Sequence, residues 1–249
     1  MSVPNHAAAL SGTWNFRDVG GTPTPDGPVR HGVVYRSAVL SQLDPQGLAA
    51  LESLGVTEVF DLRGGREIAA DGADLVPDSV TVTLAPFDPD EDEAPVHEVA
   101  VASVPRSPTD RVRAYYAALP TRVPARRSVA SLIRAVADGS GAVLVHCAAG
   151  KDRTGWAVAA LLTATGADRD AVMADYLLSN AAIESLRSWI RAQYGDTFVT
   201  EAAILGVQES YLQAAWDAVD TNFGSFDGYL DAIEVDSDVL RRLRRRLLD

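Results

Sequence analysis

The clearest pattern in the chain is a short apolar segment, a small loop and an amphipathic segment that follow one another between residues 142 and 166. Ala142–Val145 is a run of small and β-branched apolar residues, which is typical of a buried strand. The segment from Arg153 onward has apolar positions at helical spacing, and Gly166 is a typical helix end. These positions are Val158, Leu161, Leu162 and Thr165. The pattern therefore predicts a strand, a tight loop and a helix.

The same patterns predict further elements on both sides of this unit. Apolar runs predict strands at Val33–Tyr35, Val56–Leu62 and Val80–Leu84. Helical spacing predicts helices between Asp44 and Gly55 and over Asp110–Leu119, Arg126–Asp138, Asp168–Asn180, Ala181–Tyr194, Gln208–Asp220 and Ser237–Leu248. This order predicts an α/β fold with a mostly parallel central sheet flanked by helices, and a helical C-terminal half. We find no linker or repeat, and we predict a single domain over residues 1–249.

Residues 88–108 show little periodicity and differ from the rest of the chain. They contain four prolines and a dense acidic run that begins at Asp88 and includes Asp90. A loop of this length inside a compact domain is usually either a functional lid or a disordered segment. Two interpretations stay open, a lid over a functional site and a solvated acidic loop.

The last predicted helix combines leucines on one face with arginines on the others. The leucines are Leu240, Leu243 and Leu247, and the arginines are Arg241, Arg242, Arg244, Arg245 and Arg246. Such a helix can bind an anionic lipid surface. We prefer the alternative, in which the leucines belong to the core and the arginines form a solvated rim.

Charge and composition narrow the possible partners. The formal net charge is −12, which argues against nucleic acid or an anionic membrane as the default partner. We find no signal peptide and no apolar run near the ~18 residues that a membrane span needs. We therefore expect no stable membrane insertion, a cytoplasmic location by default, with export without a cleavable signal left open, and a monomer. The single cysteine excludes an intrachain disulfide and a mechanism with a resolving cysteine.

The loop between the predicted strand and helix has the residues for phosphate chemistry. Cys147 follows the strand, and Arg153 begins the helix six residues later. Backbone N–H groups at a helix start, with the helix dipole, bind anions and stabilise a thiolate. The arginine fork can grip two phosphate oxygens. The predicted phosphate-binding residues are Ala148, Ala149, Gly150, Lys151, Asp152 and Arg153. Together they indicate phosphoryl transfer through a phosphocysteine, with inorganic phosphate in the loop and no metal or cofactor.

The composition of this loop argues against a purely structural role. A lone cysteine is usually a small buried apolar residue, but Cys147 is the only cysteine and Lys151 the only lysine of the chain. Both lie in one seven-residue loop. A nucleotide-binding Walker loop fits poorly, because Lys151 is followed by Asp152 rather than Ser or Thr.

The sequence H-C-A-A-G-K-D-R-T-G, residues 146–155, resembles the signature of the Cys-based protein tyrosine phosphatase superfamily. Its G-K-D-R-T-G form is similar to that of the atypical bacterial tyrosine and lipid phosphatases, a group with mycobacterial members. Further stretches that resemble this group are 14–19, 35–37, 61–63 with Arg66-Glu67, 174–177 with Ser179-Asn180, and 224–225 with 228–230. The resemblance covers nearly the whole chain and implies a tyrosine-phosphatase-like fold.

The resemblance also implies roles for residues around the loop. His146 is expected to orient the loop and support the thiolate, and Thr154 to hydrogen-bond the sulfur. Asp61 and Arg63 either brace the phosphate loop or form a surface ion pair. Expelling a phenolate requires a general acid. We favour Asp152, with Asp88 and Asp90 of the acidic segment as alternatives.

The implied function is protein tyrosine phosphatase activity, with possible activity on phosphoserine and phosphothreonine. A phosphoinositide phosphatase is the alternative, because Lys151 inside the loop suits a multiply charged head group. The expected partner is therefore a phosphorylated protein or a phosphoinositide. Two other classes stay open, a non-catalytic phosphate-binding module and a thiol redox sensor based on Cys147.

Overall fold

The computed structural model describes residues 10–88, 107–195 and 201–248, and a five-stranded sheet lies at its centre. The strands are β1 (Arg17–Asp18), β2 (Val34–Ser37), β3 (Val56–Asp61), β4 (Thr81–Leu84) and β5 (Ala142–His146). The helices are α1 (Pro45–Ser53), α2 (Gly65–Asp71), α3 (Pro108–Ala118), α4 (Val123–Asp138), α5 (Arg153–Thr165), α6 (Arg169–Leu177), α7 (Ile183–Tyr194), α8 (Ala202–Leu205), α9 (Glu209–Phe223), α10 (Phe226–Ala232) and α11 (Ser237–Leu248). The predicted α/β fold with a helical C-terminal half is confirmed.

The sheet is parallel except at one edge, and its strands end in register. The strand order is β1-β2-β5-β3-β4, and only β1 runs antiparallel to its neighbour. Ser37, His146, Asp61 and Leu84 lie in one row across the carboxyl ends of the four parallel strands. Ligands of open α/β sheets bind beyond the carboxyl ends of the strands, where this row lies. Cys147 is one residue beyond this row, Arg63 is two residues beyond it and Asp88 is four.

Apolar side chains fill both faces of the sheet, so the central strands are buried on both sides. Val143 and Val145 of β5 point to the larger cluster, which includes side chains from α3, α4, α5, α9 and α11. Ala142 and Leu144 point to a smaller cluster under α1. This alternation is the two-residue period of a strand. The apolar run in the sequence therefore marks the central strand of the sheet.

The helix ends follow the capping signals of the sequence. Asp44 accepts hydrogen bonds from the N–H groups of Gln46 and Gly47, each at 2.9 Å, and Pro45 is the first residue of α1. Gly166 closes α5 with a left-handed backbone, φ 115°. The predicted helix over 168–180 is instead α6 followed by a 3-10 turn at Leu178–Ala182.

The leucines of α11 lie in the core, and two of its arginines donate hydrogen bonds to neighbouring elements. Leu243 and Leu247 are fully buried, which confirms their place in the core. Arg246 donates to the carbonyl of Gly141, and Arg242 donates to Asp138 at 2.5 Å. Arg246 therefore attaches α11 to the residue before β5, and Arg242 attaches it to the end of α4. The other three arginines, Arg241, Arg244 and Arg245, are exposed, as expected for a solvated rim. Among the described helices, none combines the length and apolar character that crossing a membrane requires.

Candidate active site

Cys147 lies in a tight loop between β5 and α5, where its side chain is 2% exposed. The loop is held from behind, because Val39 N–H donates to the carbonyl of Ala148 at 3.0 Å. Gly150 has a left-handed backbone, φ 65°, and a Cβ at this position would lie 2.1 Å from the carbonyl oxygen of Ser37. Only glycine fits this close approach, and the loop geometry depends on it.

The backbone N–H groups of residues 148–153 donate to no protein acceptor in the described part of the chain. Such groups require a partner in a folded protein, and a helix start with free N–H groups attracts anions. Among these residues, Arg153 begins α5 at the end of the loop. The arrangement is suited to hold the oxygens of a phosphate in front of Cys147.

The guanidinium of Arg153 is buried and paired with Glu67. Its two terminal nitrogens donate to the two carboxylate oxygens of Glu67, at 2.5 and 2.6 Å. Burial alone would lower the pKa of Arg153, but the charge and hydrogen bonds of Glu67, and then the nearby Cys147, raise it well above its ordinary value. Arg153 therefore stays charged in the site.

Glu67 is a site residue that the sequence analysis quoted without a role. It lies in the first turn of α2, where its carboxylate also accepts from the N–H of Gly64 at 3.0 Å. The signal in the sequence is a capping pattern, a glycine followed three residues later by glutamate. The helix itself was not predicted, because α2 is only seven residues long and contains no buried residue.

Asp61 and Arg63 form an ion pair that is buried, so the predicted surface pair is wrong. Arg63 donates to Asp61 at 2.8 Å and to Asp74 at 2.9 Å, and all three side chains are at most 1% exposed. Burial acts to raise the pKa of Asp74, but hydrogen bonding to His146 and the charge of Arg63 outweigh it and lower the pKa. Asp61 lies 3.9 Å from Nε2 of His146, and Arg63 is connected to His146 through Asp74.

His146 lies between this ion pair and the loop. Its Nε2 is 2.8 Å from Asp74, and its Nδ1 is 3.2 Å from the carbonyl oxygen of Cys147. This geometry fits the predicted orienting role. Side chains of Asp61, Asp74 and His146 are close enough to share a metal ion. Arg63 already supplies the positive charge between the two carboxylates, and the group fits an ion-pair network better than a metal site.

A second buried network holds the loop from the other side. Arg36 is fully buried and donates to Asp175 at 2.6 Å and to the carbonyl of Gly150 at 2.9 Å. Arg17 donates to the other oxygen of Asp175 at 2.9 Å. Burial, followed by the charge of Arg36, lowers the pKa of Arg17 to about 10, with Asp175 acting against both. Asn15 completes the support by donating to the carbonyl of Gly150 at 2.9 Å.

These contacts explain three stretches that the sequence analysis identified only by resemblance. Residues 14–19 contribute Asn15 and Arg17, residues 35–37 contribute Arg36, and residues 174–177 contribute Asp175. Asn15 and Arg36 donate to the carbonyl of Gly150 from 135 and 114 residues away, and Arg36 and Arg17 are joined through Asp175. No local pattern could have shown that convergence.

Asp152 lies in the loop and is bound to a tyrosine. Its Oδ1 accepts from the hydroxyl of Tyr116 at 2.8 Å, and its Oδ2 is 3.5 Å from the ammonium of Lys151. Tyr116 was not among the predicted site residues. It comes from α3, directly after the acidic segment.

Asp88, the first residue of the acidic segment, is bound by other side chains than Asp152. Asp88 accepts hydrogen bonds from Arg122 and, at 3.3 Å, from the hydroxyl of Tyr115. Asp90, the other alternative acid, lies outside the described residues, as does most of the predicted lid over 88–108. The described end of that range, Ser107 and Pro108, is the cap and first turn of α3.

Lys151, which from the sequence suited a multiply charged head group, does not project from the loop. Its side chain is buried, and the ammonium donates to the carbonyl of Ile204 and, at 3.4 Å, to that of Gly206. These carbonyls belong to the end of α8 and the residues after it, which lie over the loop. The short α8 was not predicted from the sequence.

Thr154 is fully buried in the first turn of α5. Its hydroxyl has no hydrogen-bond partner within the described ranges of the chain. A buried hydroxyl without a hydrogen-bond partner destabilises the fold, unless another group in the site accepts its hydrogen bond. This fits the predicted contact with the sulfur of Cys147.

Known proteins resemble this chain in sequence and in structure. Residues 8–249 match the tyrosine phosphatase family. The triple specificity protein phosphatase PtpB of Mycobacterium tuberculosis is 38% identical over 274 residues, which cover 96% of this chain and 98% of PtpB. A tyrosine-protein phosphatase by name, from Cupriavidus necator, is 33% identical over 251 residues, 95% of this chain and 87% of its own. The crystal structure of TpbA from P. aeruginosa matches with a TM-score of 0.35 and 20% identity, over 82% of this chain and 87% of TpbA.

Proposed function

The chain belongs to the tyrosine phosphatase family, and on that premise we propose that it hydrolyses phosphomonoesters through a phosphocysteine on Cys147. One observation carries this proposal. Cys147 directly follows β5, Arg153 begins α5, and the backbone N–H groups between them have no acceptor in the described protein. A nucleophile in front of an anion cradle supports covalent phosphoryl transfer.

In the first step, the thiolate of Cys147 attacks phosphorus in line with the ester oxygen. The S–P bond forms as the P–O bond breaks, and an acid gives its proton to the leaving oxygen. The loop N–H groups and Arg153 bind the equatorial oxygens, where negative charge concentrates in the transition state.

In the second step, water attacks the phosphocysteine and gives a proton to the carboxylate that acted as acid. The S–P bond breaks, inorganic phosphate leaves and the thiolate is restored. Thr154 donates its hydroxyl to the departing sulfur, and His146 keeps the loop in place through the carbonyl of Cys147. Neither step requires a metal ion or a cofactor.

We assign the acid to Asp152 rather than to Asp88. Asp88 lies outside the phosphate loop, where Arg122 and Tyr115 bind its carboxylate. Asp152 has one oxygen bound to Tyr116 and the other 3.5 Å from Lys151. Its position inside the phosphate loop supports proton transfer to a bound ester.

Phosphotyrosine is the proposed main substrate, with phosphoserine and phosphothreonine as further substrates. PtpB, the relative with 38% identity, is named for triple specificity, which supports a broad range. A phosphoinositide is the alternative substrate. The buried contacts of Lys151 count against a mobile charge for a second phosphate.

A panel of phosphotyrosine, phosphoserine and phosphothreonine peptides and phosphoinositides, assayed in a chelator, tests this function. We expect turnover on phosphotyrosine peptides without added metal. Cys147→Ser should abolish turnover but retain phosphate binding, because the hydroxyl is not activated while the N–H groups remain. More than a trace of activity in Cys147→Ser would exclude the phosphocysteine.

The same panel separates the other two functional classes. A phosphate-binding module would bind phosphopeptides without turnover in the wild-type chain. A redox sensor would respond to peroxide without hydrolysing any member of the panel. The presence of both Cys147 and Arg153 argues for catalysis. We also propose that the enzyme is a monomer, which light scattering of the purified chain can test.

A further inference from the structure

A chain of hydrogen bonds through two buried tyrosines ends on Asp152. The hydroxyl of Tyr176 donates to the hydroxyl oxygen of Tyr116 at 2.8 Å, and Tyr116 donates to Asp152 Oδ1 at 2.8 Å. Tyr116 is 0% exposed and Tyr176 is 1% exposed. The two tyrosines come from α3 and α6, so two helices converge on one oxygen of the loop.

The charge of Asp152 fixes the direction of this chain. A carboxylate only accepts hydrogen bonds, so Tyr116 must donate to it and must accept from Tyr176. Burial and the negative charge of Asp152 raise the pKa of both tyrosines well above the ordinary value. Both tyrosines therefore keep their protons and remain donors while Asp152 gains or loses its own.

The second carboxylate oxygen of Asp152, Oδ2, has other neighbours than Oδ1. Oδ2 is 3.5 Å from the ammonium of Lys151, which also donates to the carbonyl of Ile204. Among the described residues, no tyrosine hydroxyl binds Oδ2. Because Oδ1 already accepts from Tyr116 and the ammonium of Lys151 donates to the carbonyl of Ile204, Oδ2 is the oxygen left to carry the proton of a neutral Asp152.

We propose that Tyr116 and Tyr176 are positioning residues for Asp152, which hold its proton on Oδ2 and stabilise the carboxylate that remains after proton donation. This inference rests on the proposed phosphatase function. In the first step, the Oδ2 proton moves to the ester oxygen as the P–O bond breaks. The negative charge left on Asp152 then faces two aligned O–H groups. In the second step, the carboxylate takes a proton from water and the chain returns to its starting state.

Several groups besides this pair face Asp152 from the elements packed around it. They are Lys151 of the loop, Tyr115 of α3 and Tyr211 of α9. Arg153 is the next residue after Asp152 in the sequence. Tyr115 is the matched comparison, because it is next to Tyr116 but its hydroxyl contacts Asp88 at 3.3 Å. A substitution at Tyr116 leaves the other groups in place.

The test is the pH dependence of kcat/KM for Tyr116→Phe, which removes one hydroxyl and keeps the ring. Loss of the donor makes the carboxylate of Asp152 harder to form, so the basic limb of the profile should move to higher pH. We expect a shift of about one pH unit, the order expected for a hydrogen bond to a charged group. Tyr176→Phe should shift the limb in the same direction by a smaller amount. The limb position does not depend on how much of a variant is folded.

Three comparisons make the test decisive. Tyr115→Phe should leave the limb unmoved, and a shift there but not in Tyr116→Phe would assign the acid to Asp88. In an Asp152→Asn background, Tyr116→Phe should cause no further change of the profile. If the wild-type enzyme is active and the basic limb of Tyr116→Phe does not move, the tyrosine inference alone is overturned. Turnover in Cys147→Ser overturns the proposed function itself.

Discussion

Glu67 accepts hydrogen bonds from both terminal nitrogens of Arg153, although 86 residues separate the two in sequence. A carboxylate bound in this bidentate way fixes the plane of a guanidinium. That plane decides whether the remaining N–H groups of Arg153 meet the phosphate oxygens in the transition state. We therefore expect Glu67 to control the proposed phosphate clamp from outside the loop.

Replacing Glu67 with Gln should lower kcat/KM on 4-nitrophenyl phosphate by about 10- to 100-fold, equivalent to about 1.4–2.8 kcal/mol. Gln keeps the size of the side chain but donates with one of the two atoms that must accept. Arg66→Gln is the control, because Arg66 is exposed on the same helix. Similar kinetics in the two variants would show that Glu67 does not set the clamp.

Replacing Arg153 with Lys should reduce kcat nearly as much as replacing it with Ala. Lysine keeps the charge, but it loses the fork that binds Glu67 and two phosphate oxygens together. Steady-state kinetics of both variants measure the difference. Recovery of most of kcat by Arg153→Lys would mean that the clamp acts through charge alone.

Gly150→Ala should abolish turnover, because a Cβ would lie 2.1 Å from the carbonyl of Ser37 and the loop must move. Gly166→Ala is a matched control, since it also has a positive φ but no atom lies within 4 Å of its Cβ position. That variant should lose about 1 kcal/mol of unfolding free energy and keep its kcat. Equal kcat in both variants would contradict the proposed loop geometry.

Asp175→Asn should lower the unfolding free energy at pH 7 by about 3 kcal/mol, because Arg36 and Arg17 lose their buried partner. Burial acts to raise the pKa of Asp175, but Arg36 and Arg17 outweigh it and lower the pKa. A depressed pKa stabilises the fold above the unfolded value of about 3.9 and loses this effect as pH falls further.

Urea unfolding at several pH values measures this effect. The difference between wild type and Asp175→Asn should stay constant from pH 7 to about pH 5 and shrink below about pH 3.9. Asp170→Asn is the control, an exposed position on the same helix. A difference that does not change with pH would exclude charge as its source.

Lys151→Met should reduce activity on phosphotyrosine and phosphoinositide substrates by similar factors. The ammonium is bound to carbonyls around α8, so its loss loosens that segment over the loop for every substrate. Parallel assays of the two substrate classes give the ratio. A selective loss on phosphoinositides would mean that Lys151 leaves these carbonyls to meet a second phosphate.

The strand-loop-helix unit around Cys147 and the parallel sheet could be predicted because their patterns are local. A β-branched run, a glycine stop and helical spacing each lie within a few residues of sequence. The cysteine and arginine then follow from the phosphate chemistry of a helix start. The family resemblance added His146 and Thr154, whose places in the structure fit the expected roles.

The supporting residues could not be predicted, because their roles depend on contacts between distant elements. In the sequence pattern, Tyr116 is one apolar position of α3. Only the fold shows that its hydroxyl lies next to Asp152. From the sequence, Lys151 is a charge available to a substrate, but in the structure its ammonium donates to a carbonyl of α8, a helix that was not predicted. Short helices such as α8 and α10 span too few turns to show a helical period.

The hydrogen bonds of Arg36 to Gly150 and Asp175 have a consequence for folding kinetics. They close loops of 114 and 139 residues, so the phosphate loop gains its support only when most of the chain has assembled. Closing loops of such length costs chain entropy that nearer contacts must first offset, so we expect these hydrogen bonds to form late in folding. Catalytic activity during refolding should therefore appear with the last cooperative phase, and enzyme turnover is a direct reporter of the completely folded chain.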